Sequence, residues 1–221
     1  MIAERKLFAS KQELAAALAS DVAASLSTAI TDRGHAQLAL SGGTTPKLFF
    51  LELAHIKIDW SRVTITLVDE RCVPTTDDRS NAKLVREHLL RLKAASAKFV
   101  QLYGGHESAR AQELGPFDVV VLGMGTDGHT ASFFPGGDNL NEALDIVTKK
   151  RIVTMTAPGV PEKRLTFTLP ILLDSNFVVL HIEGEDKKKT LAEAEKPGPI
   201  TDMPIRAFLR AREPIILYWC P

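Results

Sequence analysis

The segment GMGTDGH, residues 123–129, carries the residue types with the clearest potential for chemistry. It follows the apolar run 117–122, and Asp127 and His129 flank Gly128. Histidine is the usual general base near neutral pH, because its reference pKa is about 6.5. A structural histidine near a helix start is the more common case, but the position of His129 after a buried strand favours a base. Asp127 could then orient the imidazole or contact a substrate hydroxyl.

The same segment has the GxGxxG glycine spacing of dinucleotide-binding sites. Asp127 lies between the second and third glycines, where it would repel a diphosphate by roughly 4 kcal/mol per charge pair at a distance of about 4 Å. The acid expected to end the next strand about 20 residues later is also missing, since Glu142 and Asp145 lie in an apparently helical stretch. The glycines therefore predict a close approach of the backbone to a small ligand.

The segment SGGTTP, residues 41–46, joins a predicted strand to the start of a predicted helix. Such a turn exposes backbone N–H groups at a helix N-terminus, which suits a phosphate. A tight strand-to-helix turn with a Ser/Thr cap explains the residues equally well. The segment lacks the GKS/T ending of a nucleotide-binding P-loop.

The segment DER, residues 69–71, places three charges at the end of another apolar run. Glu70 and Arg71 could form a solvated pair at the rim, which is the commonest arrangement. Asp69 follows the run directly, however, and should lie at the floor of a cleft. Arg71 offers a planar fork that suits phosphate or carboxylate. The segment is therefore interpreted as functional.

Other candidate side chains give weaker signals. Lys163 and Arg164 precede a strand-like run, and their spacing alone indicates exposed surface residues. Cys72 and Cys220 are interpreted as free thiols in a reducing compartment. No cluster has metal-ligand spacing, so we expect no metal and no cofactor. The remaining histidines are interpreted as structural: His35, His55, His88, His106 and His181.

The elements that must position these residues alternate between short apolar runs and helical patterns. Strands are predicted at 37–40, 63–68, 99–102, 117–122, 152–156, 165–168, 177–182 and 215–219. Helices are predicted from a capping box at Ser10, and at 46–55, 80–92, 107–114, 186–195 and 203–212. Apolar strands separated by helices indicate an α/β fold with a mainly parallel sheet and helices on both faces. Ligands bind outside the carboxyl ends of such strands, where the three segments above begin.

Composition limits the classes of partner. The chain has 221 residues, of which 45% are hydrophobic, and it shows no linker, so one domain over 1–221 is expected. Lys plus Arg equals Asp plus Glu at 27 each, which favours neither nucleic acid nor a membrane as partner. The N-terminal segment resembles no signal peptide, and no apolar stretch is expected to reach the ~18 residues of a membrane span. We therefore expect a cytoplasmic protein, whose oligomeric state the sequence leaves open.

Five segments in order between residues 38 and 168 resemble the 6-phosphogluconolactonase family: LALSGGTTP, VDER, SNAKLVREHLL, FDVVVLGMGTDGHTASFFPG and RLTFT. This family lies within a larger group that includes glucosamine-6-phosphate deaminase and isomerase. GMGTDGHTASFFPG is highly specific, whereas SGGTTP alone is not. The resemblance implies a single Rossmann-like domain that hydrolyses 6-phosphogluconolactone to 6-phosphogluconate in the pentose phosphate pathway.

The resemblance also implies roles for individual residues. The glycine turn supplies Gly42, Gly43 and Thr44 as phosphate contacts. Arg164, which spacing alone places on the surface, becomes a second phosphate anchor. His129 becomes the base that activates water for attack on the lactone carbonyl.

The lactonase and deaminase branches of the larger group can be compared at two positions. The deaminase pattern has a Glu five residues after the histidine, and here that position is Phe134, which favours the lactonase. Asp69 matches the proton-abstracting Asp of the deaminase and does not discriminate; here it is expected to bind substrate. Arg71 is expected to bind phosphate or carbonyl, and either Arg71 or a backbone N–H of the glycine loop would stabilise the oxyanion. A deaminase or isomerase, and a non-catalytic sugar-phosphate sensor, stay as alternatives.

Overall fold

Seven strands form one parallel sheet at the centre of the computed structural model, which describes residues 1–104 and 109–221 in full and the backbone of 106–108. In spatial order they are Ile2–Leu7 (β1), Ile215–Cys220 (β10), Ser175–Glu183 (β9), Phe117–Leu122 (β6), Ala36–Leu40 (β2), Val63–Leu67 (β3) and Lys98–Phe99 (β5). All six residues of β6 are buried, so both faces of the sheet are covered there. The predicted α/β fold with a mainly parallel sheet is confirmed.

A second, smaller sheet lies beside the first. Its three antiparallel strands are, in order, Asp69–Arg71 (β4), Arg164–Phe167 (β8) and Ile152–Met155 (β7). The sequence analysis ended the predicted strand at residue 68, but the next three residues continue from β3 into this small sheet as β4. Arg71 is directly opposite Arg164 in the register of β4 and β8. The small sheet therefore joins two segments that lie far apart in the sequence.

Within the described part of the chain, seven α-helices accompany the sheets: Lys11–Arg33 (α1), Lys47–His55 (α2), Asn81–His88 (α3), Leu140–Leu144 (α4), Leu169–Leu173 (α5), Glu185–Ala194 (α6) and Ile205–Leu209 (α7). The predicted capping box is present at α1, because Ser10 Oγ accepts a hydrogen bond of 3.2 Å from the Glu13 N–H. The predicted helix at 107–114 is instead a 3-10 helix, His106–Glu113.

Two other expectations need correction. β1 was not predicted, because this edge strand carries exposed charged residues and leaves only two of its six residues half-buried. By length and composition, the 23 residues of α1 also suffice to cross a membrane, contrary to the sequence expectation. This is weak support for a membrane span, since core helices of globular domains meet the same criteria. Eight residues of α1 are buried in the hydrophobic core.

The strand order creates the crevice that matters for function. From β2 the chain proceeds outward through β3 to β5, and then crosses to β6 on the other side of β2. The strand order therefore reverses between β2 and β6, where ligands of such sheets bind. The loops after these two strands are joined, since the Ser41 N–H donates to Val121 O at 2.9 Å and the Gly123 N–H donates to Ser41 Oγ at 3.0 Å.

Candidate active site

A cavity of about 240 Å³ opens at this reversal of strand order. Its lining includes seven of the eight site residues expected from the sequence and the resemblance: Gly42, Gly43, Thr44, Asp69, Arg71, His129 and Arg164. The eighth, Asp127, lies behind His129 and contacts it directly. The parallel sheet brings the 41–46 and 123–129 loops together, and the small sheet brings the two arginines to the same cavity.

Asp127 fixes the orientation of His129. Its Oδ1 lies 2.6 Å from His129 Nδ1 and also accepts the His129 backbone N–H at 3.1 Å. Partial burial acts to raise the pKa of Asp127, but the hydrogen bond and charge of His129 outweigh it and lower that pKa below the usual value. An ionised Asp127 accepts a hydrogen bond from Nδ1–H, and in this tautomer the lone pair of the imidazole is on Nε2.

The glycines of this loop make room for the Asp127–His129 pair. A Cβ on Gly125 would lie 2.3 Å from ring atoms of His129 and 2.6 Å from Asp127 Oδ1. Gly128 has φ +80°, a left-handed conformation that side chains rarely adopt. The spacing that resembles a dinucleotide fingerprint therefore serves a tight turn that brings a carboxylate under an imidazole.

Phe134 forms an apolar wall between the imidazole and a buried cation. Its ring centroid lies 4.5 Å from that of His129, and the Arg164 Cζ lies 5.4 Å from the Phe134 ring centroid. At this position the deaminase pattern has a carboxylate. Here the neighbour of His129 is aromatic and buried.

Arg164 is a buried cation with hydrogen-bonding capacity left over. Its side chain is only 12% exposed, and its Nη1 lies 3.7 Å from Asp69 Oδ2, too far for a hydrogen bond. Its Nε is buried and has no hydrogen-bond partner among the described residues. Burial lowers the pKa of Arg164, against the opposing effect of Asp69, although a guanidinium stays charged in proteins. Such donors at a cavity wall suit an anionic ligand.

Asp69 is held from behind by a buried hydroxyl. Ser132 Oγ donates to Asp69 Oδ2 at 2.5 Å, and Ser132 is fully buried. Asn81 Nδ2 donates to the Asp69 backbone carbonyl at 3.1 Å, while its Oδ1 accepts from Arg71 Nη1 at 3.0 Å. A Cβ on Gly42 would lie 2.0 Å from Asn81 Oδ1. Asn81 therefore requires this glycine and links Asp69 to Arg71, a role that its place in a predicted helix did not reveal.

Glu70 is not the solvated rim residue that its sequence context allowed. It is 1% exposed and accepts the backbone N–H groups of Asn81 at 2.9 Å and Ala82 at 2.7 Å. Burial raises the pKa of Glu70 even though these hydrogen bonds act to lower it. The carboxyl group therefore fixes the start of α3 to β4 and has a structural role.

Sequence reasoning missed two residues that line the cavity. Lys187 on α6 lines the cavity, and its Nζ donates to Thr45 Oγ1 at 3.2 Å. Burial lowers the pKa of Lys187, while the charge of Glu183 opposes this shift. His181 also lines the cavity from the interior of β9, and burial lowers the pKa of its imidazole. Lys187 belongs to a run of three lysines, which is typical of a solvated helix and gave no signal.

Among the histidine side chains that the structure describes, only His129 and His181 line the cavity. The side chain of His106, interpreted as structural, lies outside the described residues. Among the residues that the structure describes, no group of three His, Cys, Asp or Glu side chains could hold a metal ion. Cys72 and Cys220 are free thiols.

A family model now accounts for these features. The model described as glucosamine-6-phosphate isomerases and 6-phosphogluconolactonase matches residues 9–217. The chain belongs to this family. The match covers both loops at the reversal of strand order, the whole small sheet and α6.

Individual relatives show the same similarity. The chain is 54% identical to a 6-phosphogluconolactonase of Rhizobium meliloti over the full length of both chains. It is 44% identical to a 6-phosphogluconolactonase of Pseudomonas putida, over 96% of this chain and 91% of the relative. The crystal structure of a 6-phosphogluconolactonase from Shewanella baltica superposes with a TM-score of 0.93 at 40% identity, covering 99% and 97% of the two chains. A monomeric glucosamine-6-phosphate deaminase shares the fold alone, with a TM-score of 0.75 at 18% identity, covering 98% and 97%.

Proposed function

We propose that this protein hydrolyses 6-phosphogluconolactone to 6-phosphogluconate. The observation that carries the proposal is the imidazole of His129, oriented by Asp127 at 2.6 Å, in a cavity whose wall also holds the partly unsatisfied guanidinium of Arg164. A base and an anion-binding group in one cavity suit a small phosphorylated ester. The full-length similarity to a 6-phosphogluconolactonase supports 6-phosphogluconolactone as that ester.

In this proposal the phosphate lies between the glycine turn and two cations. Gly43 and Thr44 offer backbone N–H groups just before α2, and Arg164 and Lys187, which both line the cavity, supply charge. Asp69 has one carboxylate oxygen engaged by Ser132, so its second oxygen can accept a hydroxyl group of the sugar. These contacts would set the position of the lactone carbonyl.

His129 then acts as the general base. Its Nε2 removes a proton from a water molecule, the resulting hydroxide attacks the lactone carbonyl carbon, and a tetrahedral oxyanion forms. The carbon to ring-oxygen bond breaks next, and the imidazolium returns the proton to the departing ring oxygen. Asp127 stabilises the transient imidazolium.

We favour Arg71 as the donor to the oxyanion, because the backbone N–H groups of the glycine loop already have hydrogen-bond acceptors. The N–H groups of Gly123, Gly125 and Gly128 are already bonded to Ser41 Oγ, His129 O and Gly125 O, at 3.0, 2.9 and 3.1 Å respectively. Arg71 uses its Nη1 for Asn81 Oδ1 and Arg79 O, and the rest of its fork remains for a ligand. We therefore propose Arg71, rather than a backbone N–H of the glycine loop, for this role.

The deaminase alternative lacks support at one position. An acid next to the histidine would be needed, and Phe134 occupies that place with its ring against the imidazole.

A cytoplasmic location is part of the proposal, and cell fractionation with an antibody to the protein tests it.

The decisive experiment measures loss of 6-phosphogluconolactone above its spontaneous hydrolysis, with wild type and His129→Ala side by side. We expect fast hydrolysis by wild type only. Glucosamine 6-phosphate is tested in parallel for ammonia release. Lactone loss at the spontaneous rate in wild type would contradict the proposal, and ammonia release would support the deaminase instead.

A further inference from the structure

The loop that carries Asp127 is bonded from behind to two helices near the C-terminal end of the fold. The hydroxyl of Thr190 on α6 shares its single proton between Thr126 O, 3.2 Å from Oγ1, and the carbonyl of Asp186 one helical turn earlier, 3.0 Å from Oγ1. The Ile205 N–H at the start of α7 donates to Gly128 O at 2.9 Å. The two carbonyls that flank Asp127 are therefore attached to two different helices.

Close contact strengthens the second of these attachments. A Cβ added to Gly128 would lie 2.8 Å from Met203 Cβ and 2.9 Å from its Cε. The Met203 side chain thus lies directly against the backbone of the catalytic loop. Any displacement of the segment before α7 would move Gly128, the residue between Asp127 and His129.

Arg206 joins the two helices to one another. This side chain is 5% exposed, and its guanidinium donates to Ala194 O and Glu193 O, each at 3.2 Å, and to Pro199 O at 3.0 Å. The first two carbonyls belong to the C-terminal end of α6, and the third to the segment that leads to α7. One buried cation therefore holds α6 and the start of α7 in a fixed relation.

We propose that Thr190 and Arg206 are positioning residues that hold Asp127 under His129 through the backbone of residues 126–128. The Asp127 side chain is about half exposed, so the position of its carboxylate depends on the backbone behind it. A displacement of about 1 Å at a reacting group can cost on the order of 100-fold in rate. For its kinetic test, the inference rests on the proposed lactonase function.

The first test compares Thr190→Val with Thr190→Ser. Valine keeps the shape and removes the hydroxyl, so we expect kcat to fall about three- to tenfold with KM within about twofold. Serine keeps the hydroxyl and should restore kcat. Equal kcat values in wild type and Thr190→Val would overturn the role of Thr190.

The second test compares Arg206→Met with Arg210→Met at a temperature where circular dichroism shows both variants folded. Arg210 is a matched control, because it also donates to backbone carbonyls, to Gly198 O at 2.7 Å and Lys196 O at 3.2 Å, but bonds no residue of α6. We expect Arg206→Met to lower kcat about 10- to 100-fold, with little change in KM, and Arg210→Met to leave kcat unchanged. Equal losses in the two variants would overturn the specific role of Arg206.

A third measurement does not depend on the reaction. The ring-proton NMR signal of His129, assigned by its disappearance in His129→Gln, should shift in Thr190→Val and return in Thr190→Ser. If wild type fails to hydrolyse the lactone but this signal shifts as expected, the proposed function is wrong and the positioning role stands. An unchanged signal in both Thr190→Val and Arg206→Met overturns the positioning role.

Discussion

An arginine lies beside a buried aspartate at each end of the parallel sheet. The two pairs differ in whether the arginine donates a hydrogen bond to the aspartate. At the carboxyl end, Arg164 lies 3.7 Å from Asp69 and keeps a buried Nε without a partner among the described residues. At the amino end, Arg33 donates directly to Asp118. Asp118 also accepts the Gln37 N–H at 2.8 Å and Asn176 Nδ2 at 3.2 Å.

This difference in hydrogen bonding indicates that the carboxyl-end pair serves ligand binding and the amino-end pair serves the stability of the fold. The crevice at the amino end is larger, about 810 Å³ against about 240 Å³, yet the carboxylate of Asp118 already accepts hydrogen bonds from three protein donors. A buried polar group that the fold leaves incompletely bonded costs free energy, unless a ligand completes the bonds. The smaller cavity is therefore the better candidate site, although size alone would have favoured the other end of the sheet.

Replacing a histidine at each end gives the largest expected contrast. His129→Ala should lower kcat about 10²- to 10⁴-fold with little change in KM, because the proposed general base is lost. His35→Ala, in the amino-end crevice, should leave both constants near wild type. Steady-state kinetics on the lactone measures both, and near-normal turnover by His129→Ala would remove this residue from the mechanism.

The two arginines provide the second contrast. Arg164→Ala should raise KM about 10- to 100-fold, since a charge-assisted hydrogen bond to phosphate contributes about 1.5–3 kcal/mol. Arg33→Ala should leave KM unchanged. The same assay with varied lactone concentration decides, and an unaltered KM in Arg164→Ala would contradict its role as an anchor.

The aspartate at the amino end should matter for stability alone. Asp118→Ala leaves the Gln37 N–H without its acceptor, so we expect the free energy of unfolding to fall by about 1–3 kcal/mol. The activity per folded molecule should stay the same. Urea denaturation followed by fluorescence tests the first expectation, and a loss of kcat at full folding would show that the two ends are coupled.

The smallest expected effect is the pH dependence of the Asp127 contribution to stability. The pKa of Asp127 is lower in the folded protein than its ordinary value, so the stabilisation is present above about pH 4 and disappears as the pH falls through the lowered pKa. Because the carboxylate is half exposed, we expect less than about 0.5 kcal/mol between wild type and Asp127→Asn. Unfolding free energies at pH 7 and near pH 3 should show this difference shrinking, and a difference that grows at low pH would contradict the assignment.

The local sequence pattern was sufficient to predict those strands and helix ends that depend on interactions between neighbouring residues. Alternation of apolar runs with helical periodicity predicted six of the seven parallel strands at least in part, and the capping box at Ser10 is present as expected. The edge strand β1 was missed, because its charged residues carry no buried-strand pattern. The position of His129 at the end of β6 followed from the same local pattern.

Other site residues depended on contacts between distant segments. Lys187 and Asn81 reach the cavity from helices whose sequences resemble ordinary solvated helices. Arg164 looked exposed by spacing, but its side chain is only 12% exposed in the structure, where β8 pairs with β4 from a distant part of the sequence. Spacing in one dimension does not report such pairings, since they arise when sheets and helices pack against each other.

The sequence by itself determined the local chemistry: a glycine turn before a helix, an acid and an arginine after a strand, and a histidine beside an aspartate. These features depend on neighbours within a few residues, whose conformations are set by sterics and local hydrogen bonds. Only the tertiary structure decided that β2 and β6 lie side by side and that α6 adds a lysine to their crevice. The reason is that strand order depends on the burial of apolar surface summed over the whole chain. No single segment determines that total.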